Sequence, residues 1–326
     1  MKNKNFLKIA NKVIETEIKS LKKLKSSLGS SFNKAVNVIT KCKNGKVIIS
    51  GVGKSGLIGK KISSTLASTG TPSFFLDSSS ASHGDLGQIG SNDVVILISL
   101  SGESEELKNI IQYCSRNKKI SLIGITSKKN SLLSIASDIC ILLPTVSEAG
   151  PGNIVPTSST ITQLSIGDAL AISCMEQKKF GKLDFKKFHP SGSLGVKLKT
   201  VEDLMVTGKK IPFINENLKM KNALNIITNK KLGVLIAKNL KGLTTGIITD
   251  GQIRRESQKN KDLQGLTVKK VMTLNPFSVD ADMLAAKALS LMNLKKITSL
   301  CVHNKKNKKR TIGIIHIHNI LEANIT

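Results

Sequence analysis

A doubly wound, parallel-sheet α/β domain followed by an α+β tandem module is the fold class this chain predicts, on three observations. Apolar runs of about six residues alternate with helical stretches of about ten or more between residues 45 and 180. The first of these runs, KVIIS, feeds directly into a glycine-rich turn and a lysine, GVGKSG. The last third of the chain repeats itself: VEDLM at Val201 recurs as VKKVM at Val268, and GIITD at Gly246 as GIIHI at Gly313, both at a spacing of 67.

In chain order, residues 1–34 read as one lysine-rich amphipathic helical segment. KVIIS is apolar without alternation, as a strand buried on both faces must be. Its turn supplies backbone N–H groups and a cation at the start of a helix over 56–68, an arrangement suited to a phosphate. The spacing matches neither G-x-x-x-x-G-K-[ST] nor G-x-G-x-x-G. PSFFL and DVVILIS follow as strands, then a helix over 105–116, the strand ISLIGIT, a helix around 131–136, the strand DICILL and a helix over 159–176. In such sheets ligands bind beyond the carboxyl ends of the strands. The loops 51–55, 77–83, 99–104 and 126–129 are therefore where a site is expected. Each repeat then reads as a short extended stretch (IPFIN, NPFSV), an amphipathic helix (MKNALNIIT, LAAKALSLM) and two apolar strands. A unit this short buries its apolar face best against its twin.

Composition narrows the partners. The chain has 326 residues, 40% of them hydrophobic, and a formal charge of +28. Only four of the fifty basic residues are arginine, aromatics make up 3%, and tryptophan is absent. Base recognition and stacking favour those missing residue types. The lysines are dispersed, so no nucleic-acid partner is expected, although the charge would steer anionic substrates. No apolar run reaches the roughly 18 residues that span a bilayer, and no signal-peptide core is present. A cytoplasmic protein without a membrane partner is expected. Five scattered cysteines with no C-x-x-C pair read as reduced and structural.

The candidate chemistry sits in the loops. SLSGES offers the Ser99, Ser101 and Ser104 hydroxyls at a helix start, a second anion cradle whose rival reading is simple helix capping. PTSST adds Ser158, Ser159 and Thr160. Glu103, Glu105, Glu106 and Glu148 lie beside these loops, and His83 and His189 are the two histidines outside the second repeat. Asp77 and His83 could supply two metal ligands, but no histidine or cysteine cluster completes the set.

The ordered run GVGKSG, STGTPSFF, HGDLG, SLSGESEE, PTSST, GDALA and HPSGSLG, ahead of a two-copy repeat, resembles the D-arabinose 5-phosphate isomerases. These join a sugar-isomerase (SIS) domain to a pair of CBS repeats. The resemblance implies an SIS domain over 35–184, a linker over 185–202 carrying HPSGSLG, and CBS repeats over 203–262 and 268–326. It implies interconversion of D-ribulose 5-phosphate and D-arabinose 5-phosphate, supplying 3-deoxy-D-manno-octulosonate (Kdo) for lipopolysaccharide. Lys54, Glu106, Glu148 and His189 fall on the family's catalytic positions, and Ser55, Gly70, Thr71, His83 and the two loop hydroxyl sets on substrate contacts.

Moving a carbonyl between carbons 1 and 2 requires a base, an acid and a group that stabilises the enediolate. Glu148 or Glu106 suits proton transfer, given a pKa raised by burial; His189 suits ring opening or proton shuttling, and Lys54 charge stabilisation. No cofactor is required. Zinc at Asp77 and His83 is weakened by the aspartate, which stands where relatives carry histidine. Glu-Ala-Gly-Pro, with Gly150, replaces the relatives' Glu-Ala-Cys-Pro and leaves the carboxylate intact. A homotetramer is expected, with a nucleotide or sugar nucleotide at the CBS pair. The competing reading is a non-catalytic SIS/CBS sugar-phosphate sensor, disfavoured because the N-terminal segment is too short for a DNA-binding module.

Overall fold

The computed structural model describes residues 5–189, 192–304 and 306–325. Pro190 and Ser191 of HPSGSLG, and the first four residues of the 1–34 segment, lie outside the described residues. The chain divides into two compact units, Met1–Phe188 and His189–Thr326.

The first unit comprises α1 (Phe6–Ser27), α2 (Ser30–Lys41), β1 (Val47–Gly51), α3 (Gly53–Ser68), β2 (Ser73–Phe75), α4 (Ser78–Ala81) and β3 (Val94–Ile98). It continues with α5 (Lys108–Arg116), β4 (Ser121–Thr126), α6 (Leu132–Ala136), β5 (Ile139–Leu142), α7 (Ser158–Gln177) and α8 (Lys182–Phe188). The five strands form one parallel sheet in the order β2-β1-β3-β4-β5. Both faces are covered, which is why the strands read as unbroken apolar runs. Val47, Ile49, Val94, Ile96 and Ile98 pack on one side with Leu24, Ile39, Ile62 and Leu170. Ile48, Val95 and Leu97 pack on the other with Leu107, Ile110 and Cys114. The chain leaves β1 for β2 on one side and returns to β3 on the other, so a topological switch point lies between the carboxyl ends of β1 and β3.

α3 and α7 run side by side in the same direction. Gly167 of α7 sits over Ile62, Asp168 pairs with Lys61, and the Lys178 ammonium donates to the Gly70 carbonyl at 3.2 Å and the Thr71 hydroxyl at 2.9 Å. Those contacts descend both helices together and bring the two N-termini to the same edge of the sheet. A Cβ at Gly167 would overlap the Ile62 side chain. Gly167→Ala is therefore expected to destabilise the protein by about 1–3 kcal/mol, since overpacking outweighs the helix propensity gained. An unchanged urea midpoint would contradict the close α3–α7 contact.

The second unit contains α9 (Gly192–Lys197), α10 (Val201–Leu204), β6 (Val206–Thr207), β7 (Phe213–Asn215), α11 (Met220–Lys230), β8 (Val234–Lys238), β9 (Thr244–Thr249) and α12 (Asp250–Lys259). α13 (Val268–Val271), β10 (Thr273–Leu274), β11 (Ser278–Asp280), α14 (Ala285–Lys295), β12 (Ser299–Asn304), β13 (Asn307–His316) and α15 (Ile317–Glu322) repeat the pattern. The sheets are ordered β10-β9-β8-β7 and β11-β12-β13-β6, so each repeat lends its opening strand to its twin. Val206 pairs with Ile314 and Thr273 with Ile247, pairs related by the 67-residue shift. The repeated motifs meet in the same exchange: Met272 packs on Gly246, and Met205 on Gly313, where a Cβ would collide with the methionine sulfur. Thr244 and Thr311, themselves 67 apart, share a hydrogen bond of 2.8 Å on the pseudo-twofold axis.

Candidate active site

Three loops meet the carboxyl edge of the sheet around the switch point. After β1 the chain turns through Gly53 (φ 57°) directly into α3, whose N-cap, Val52, makes no side-chain cap. The first N–H groups of α3 are left without an intrahelical or side-chain acceptor, at the positive end of the helix. Two glycines make the turn possible: a Cβ on Gly56 would lie 2.7 Å from the Gly51 carbonyl oxygen, and one on Gly51 would lie 3.0 Å from that of Ile98. Lys54 is exposed and Ser55 half-buried at this helix start.

After β3 the loop is pre-formed. The Ser99 and Ser104 hydroxyls share a 2.9 Å hydrogen bond, and the Ser99 oxygen accepts from the Gly102 N–H at 3.0 Å. Ser104 stands at the N-cap of the helical turn 105–107 but does not cap it. The capping reading of this serine is thus not what the structure adopts; the Leu107 N–H donates to the Ser104 carbonyl at 3.1 Å, and those of Glu105 and Glu106 remain open to a ligand. The Thr126 and Ser127 hydroxyls both donate to the Leu100 carbonyl, at 3.1 and 2.9 Å, which ties the loop to the end of β4. Ser101 is exposed, and its oxygen accepts from the Glu103 N–H at 3.3 Å.

After β5 comes Glu148. Its Oε2 accepts from the Thr157 N–H at 2.7 Å, the Thr157 hydroxyl at 3.0 Å and the Ser159 N–H at 3.2 Å. The carboxylate thereby caps α7. Burial pushes its pKa up, but hydrogen bonds from Ser159 and Thr157 outweigh burial and hold it below the usual glutamate range. This corrects the expectation of a glutamate base raised by burial: at the start of a helix the N–H donors stabilise the charged form. Because α7 and α3 run parallel, this carboxylate lies at the edge where α3 begins with Lys54 and Ser55.

Other expected residues are placed differently. Gly70 and Thr71 precede β2 at the opposite, amino edge of the sheet, against Lys178 and Phe180. Within one subunit they are not gathered with the three loops. Ser158 is fully buried with an unpartnered hydroxyl, and the Thr160 hydroxyl turns back to the Thr157 carbonyl at 2.7 Å. Glu106 is exposed in the 105–107 turn, close in sequence to the Glu105–Lys108 pair. His189, half-buried, opens the second unit.

His83 is exposed and Asp77 caps α4, its Oδ1 accepting from the Ser79 and Ser80 N–H groups at 3.0 and 3.1 Å. The Ser80 N–H in particular lowers the Asp77 pKa. With that oxygen engaged, and no group of three potential metal ligands gathered among the described residues, these two donors do not fit a resident zinc.

Thr157 and Asn153 escaped the sequence reading. The Asn153 carboxamide oxygen accepts the Glu148 N–H, from a residue at φ 57° that follows Gly152 at φ 71°. The only sequence sign of this clasp was the turn-forming string PGN itself.

Comparison with known proteins agrees with this architecture. Residues 39–173 match the SIS domain model, and residues 268–325 match the CBS domain model. The chain is 37% identical over 322 residues to an uncharacterized protein of Rickettsia prowazekii, covering 99% of this chain and 98% of that one. It is 38% identical over 322 residues to the arabinose 5-phosphate isomerase KdsD of Yersinia pestis, covering 98% and 97%. A solved structure of an Escherichia coli CFT073 protein in complex with arabinose 5-phosphate is 38% identical, with a TM-score of 0.56, and covers 58% of this chain and all of that one. Among the described residues no helix is long and apolar enough to cross a membrane. A near-full-length match at this identity, on an SIS sheet followed by a CBS module, means that the chain belongs to the arabinose 5-phosphate isomerase family.

Proposed function

We propose that this protein is an aldose-ketose isomerase that interconverts D-ribulose 5-phosphate and D-arabinose 5-phosphate through an enediol(ate), and so supplies Kdo for lipopolysaccharide. The observation that carries the reading is the pair of uncapped helix starts, at Gly53 and Ser104, flanking the β1/β3 switch point beside a carboxylate already ionised. The open N–H groups at Ser104 to Glu106, with Ser101 and Ser55, hold the phosphate. Lys54 offsets the charge that develops on the enediolate oxygen. Glu148 takes the proton from the carbon beside the carbonyl and returns it to the neighbouring carbon; Glu106 is the second candidate. The hydrogen bonds that hold its pKa below the usual glutamate range make Glu148 a weak base at rest, ionised at neutral pH as any such carboxylate is. His189 opens the sugar ring or shuttles the hydroxyl proton, and His83 reaches the substrate from the loop after α4.

The test is direct. Purified protein and ribulose 5-phosphate should yield an aldopentose phosphate; tight binding without turnover would favour a sugar-phosphate sensor.

We further propose a regulatory ligand for the second unit. A cavity of about 760 Å³ between the repeats is lined by Asp250, Arg255, Thr273, Lys296 and Thr298, among others. The position 67 residues beyond Arg255 is Glu322, so the arginine marks one of the two pseudo-symmetric clefts. An anionic nucleotide or sugar nucleotide suits that cleft, and Arg255→Glu is expected to weaken it at least tenfold in a calorimetric titration. Equal affinity in the variant would remove the arginine from the site. Assembly as a homotetramer is proposed because Phe6, Leu7, Ile14 and Ile18 of α1 stand exposed. Location in the cytoplasm accords with five unpaired cysteines.

A further inference from the structure

We propose that Thr157 is the positioning residue of the proton-transfer step, holding the Glu148 carboxylate in its working orientation. This rests on the reading of Glu148 as the group that moves the proton. Thr157 occupies the N-cap of α7, where a threonine hydroxyl ordinarily accepts from the second or third N–H of its own helix. Here it makes no such bond. Its hydroxyl instead donates to Glu148 Oε2 at 3.0 Å and accepts from the Ala149 N–H at 2.8 Å, while its own N–H donates to Oε2 at 2.7 Å. A hydroxyl has one proton and two lone pairs, so one side chain clamps the carboxylate and the backbone beside it together.

Asn153 closes the clasp by accepting the Glu148 N–H. Backbone and side chain of the glutamate are thus fixed from two directions, across a loop in which Gly152 and Asn153 both adopt positive φ. Three donors converge on Oε2, and the Ser159 hydroxyl adds a further hydrogen bond that favours the charged carboxylate. A cap diverted from its usual local duty is a departure that stability alone does not favour, and such departures mark functional sites. Of the charged groups on the elements packed against α7, Lys54 at the start of α3 shares the edge of the sheet with Glu148, whereas Lys61 of α3 pairs with Asp168 and Lys23 of α1 reaches the Thr145 carbonyl at 3.5 Å. Burial raises the Glu148 pKa, and the Ser159 and Thr157 hydrogen bonds lower it further than burial raises it.

Kinetics of Thr157→Val, Thr157→Ser and Glu148→Gln across pH test the proposal. Thr157→Val should lower kcat roughly 10- to 100-fold, the loss expected when a reacting group drifts from its geometry. KM should change little, because the phosphate contacts lie on other loops. Its acid limb should move to higher pH, since a donor to the charged form has been removed. Thr157→Ser should restore both rate and limb. Thr157→Ala, free of any packing strain, gives the same readings should the valine variant fold poorly. A wild-type kcat and limb in Thr157→Val, or equal losses in valine and serine variants, would overturn the proposal and leave Glu148's role standing. Full activity in Glu148→Gln would overturn the underlying reading and the positioning role with it.

Discussion

Replacing Glu148 with glutamine is expected to lower kcat by roughly 10²- to 10⁴-fold, the usual contribution of a positioned general base. The amide is nearly isosteric and its oxygen can still accept from the Thr157 N–H, so the substrate should bind and the fold should persist. A second signature follows from the same carboxylate. Its folded pKa lies below the unfolded value of about 4.3. The stability it contributes is therefore fully present above the unfolded pKa and is lost as pH falls through the folded one. Wild-type stability should accordingly drop on acidification by an amount that Glu148→Gln does not show. Parallel acid profiles for the two proteins would mean that the carboxylate does not cap α7 in solution, and a catalytic loss below tenfold would move the base role to Glu106.

Gly102→Val is expected to combine structural and functional damage. Gly102 sits at φ 67°, where a Cβ would run into the Ser131 side chain and lie 2.9 Å from the Thr126 hydroxyl oxygen. A left-handed β-branched residue costs about 1–2 kcal/mol and overpacking about 1–3 more, so a loss of about 2–5 kcal/mol is predicted. The same glycine donates its N–H to Ser99 and accepts from the Leu133 N–H at 3.0 Å. Displacing it should therefore pull apart the Ser99–Ser104 pair that frames the phosphate site. Thermal unfolding should fall by several degrees, and KM for ribulose 5-phosphate should rise at least tenfold in the protein that remains folded. An unaltered Tm together with an unaltered KM would show that the loop tolerates a side chain there and is not the rigid cradle described.

Much of the first unit was legible because one physical rule wrote it. Strands buried on both faces have no polar alternation, so KVIIS, DVVILIS and ISLIGIT announced a covered parallel sheet. Glycine-rich and serine-rich loops after those strands then pointed to its carboxyl edge. The tandem module was legible through its 67-residue period, yet the strand exchange was not. β6 and β10 are two residues each, too short to carry a pattern, and only the packing of Met205 on Gly313 and Met272 on Gly246 explains why those residues recur. Glu148 was found as a carboxylate but its electrostatics were misjudged. Nothing local links it to Thr157 nine residues on, and the helix start that lowers its pKa is a tertiary contact. Gly70 and Thr71 show the converse: hydroxyl and glycine chemistry suits a sugar phosphate, but their position before β2 sets them at the amino edge. Asp77 likewise looked like a metal ligand until its oxygen proved to be the cap of α4.

The most direct test of the central claim is the reaction run in deuterium oxide and followed by NMR. Ribulose 5-phosphate should be converted to arabinose 5-phosphate carrying deuterium at carbon 2, because a proton held on a carboxylate exchanges with solvent before it returns to the substrate. Glu148→Gln should form neither labelled product nor exchanged substrate at a comparable rate. A folded protein that binds ribulose 5-phosphate yet produces no aldopentose phosphate would contradict the account and leave a sugar-phosphate sensor in its place.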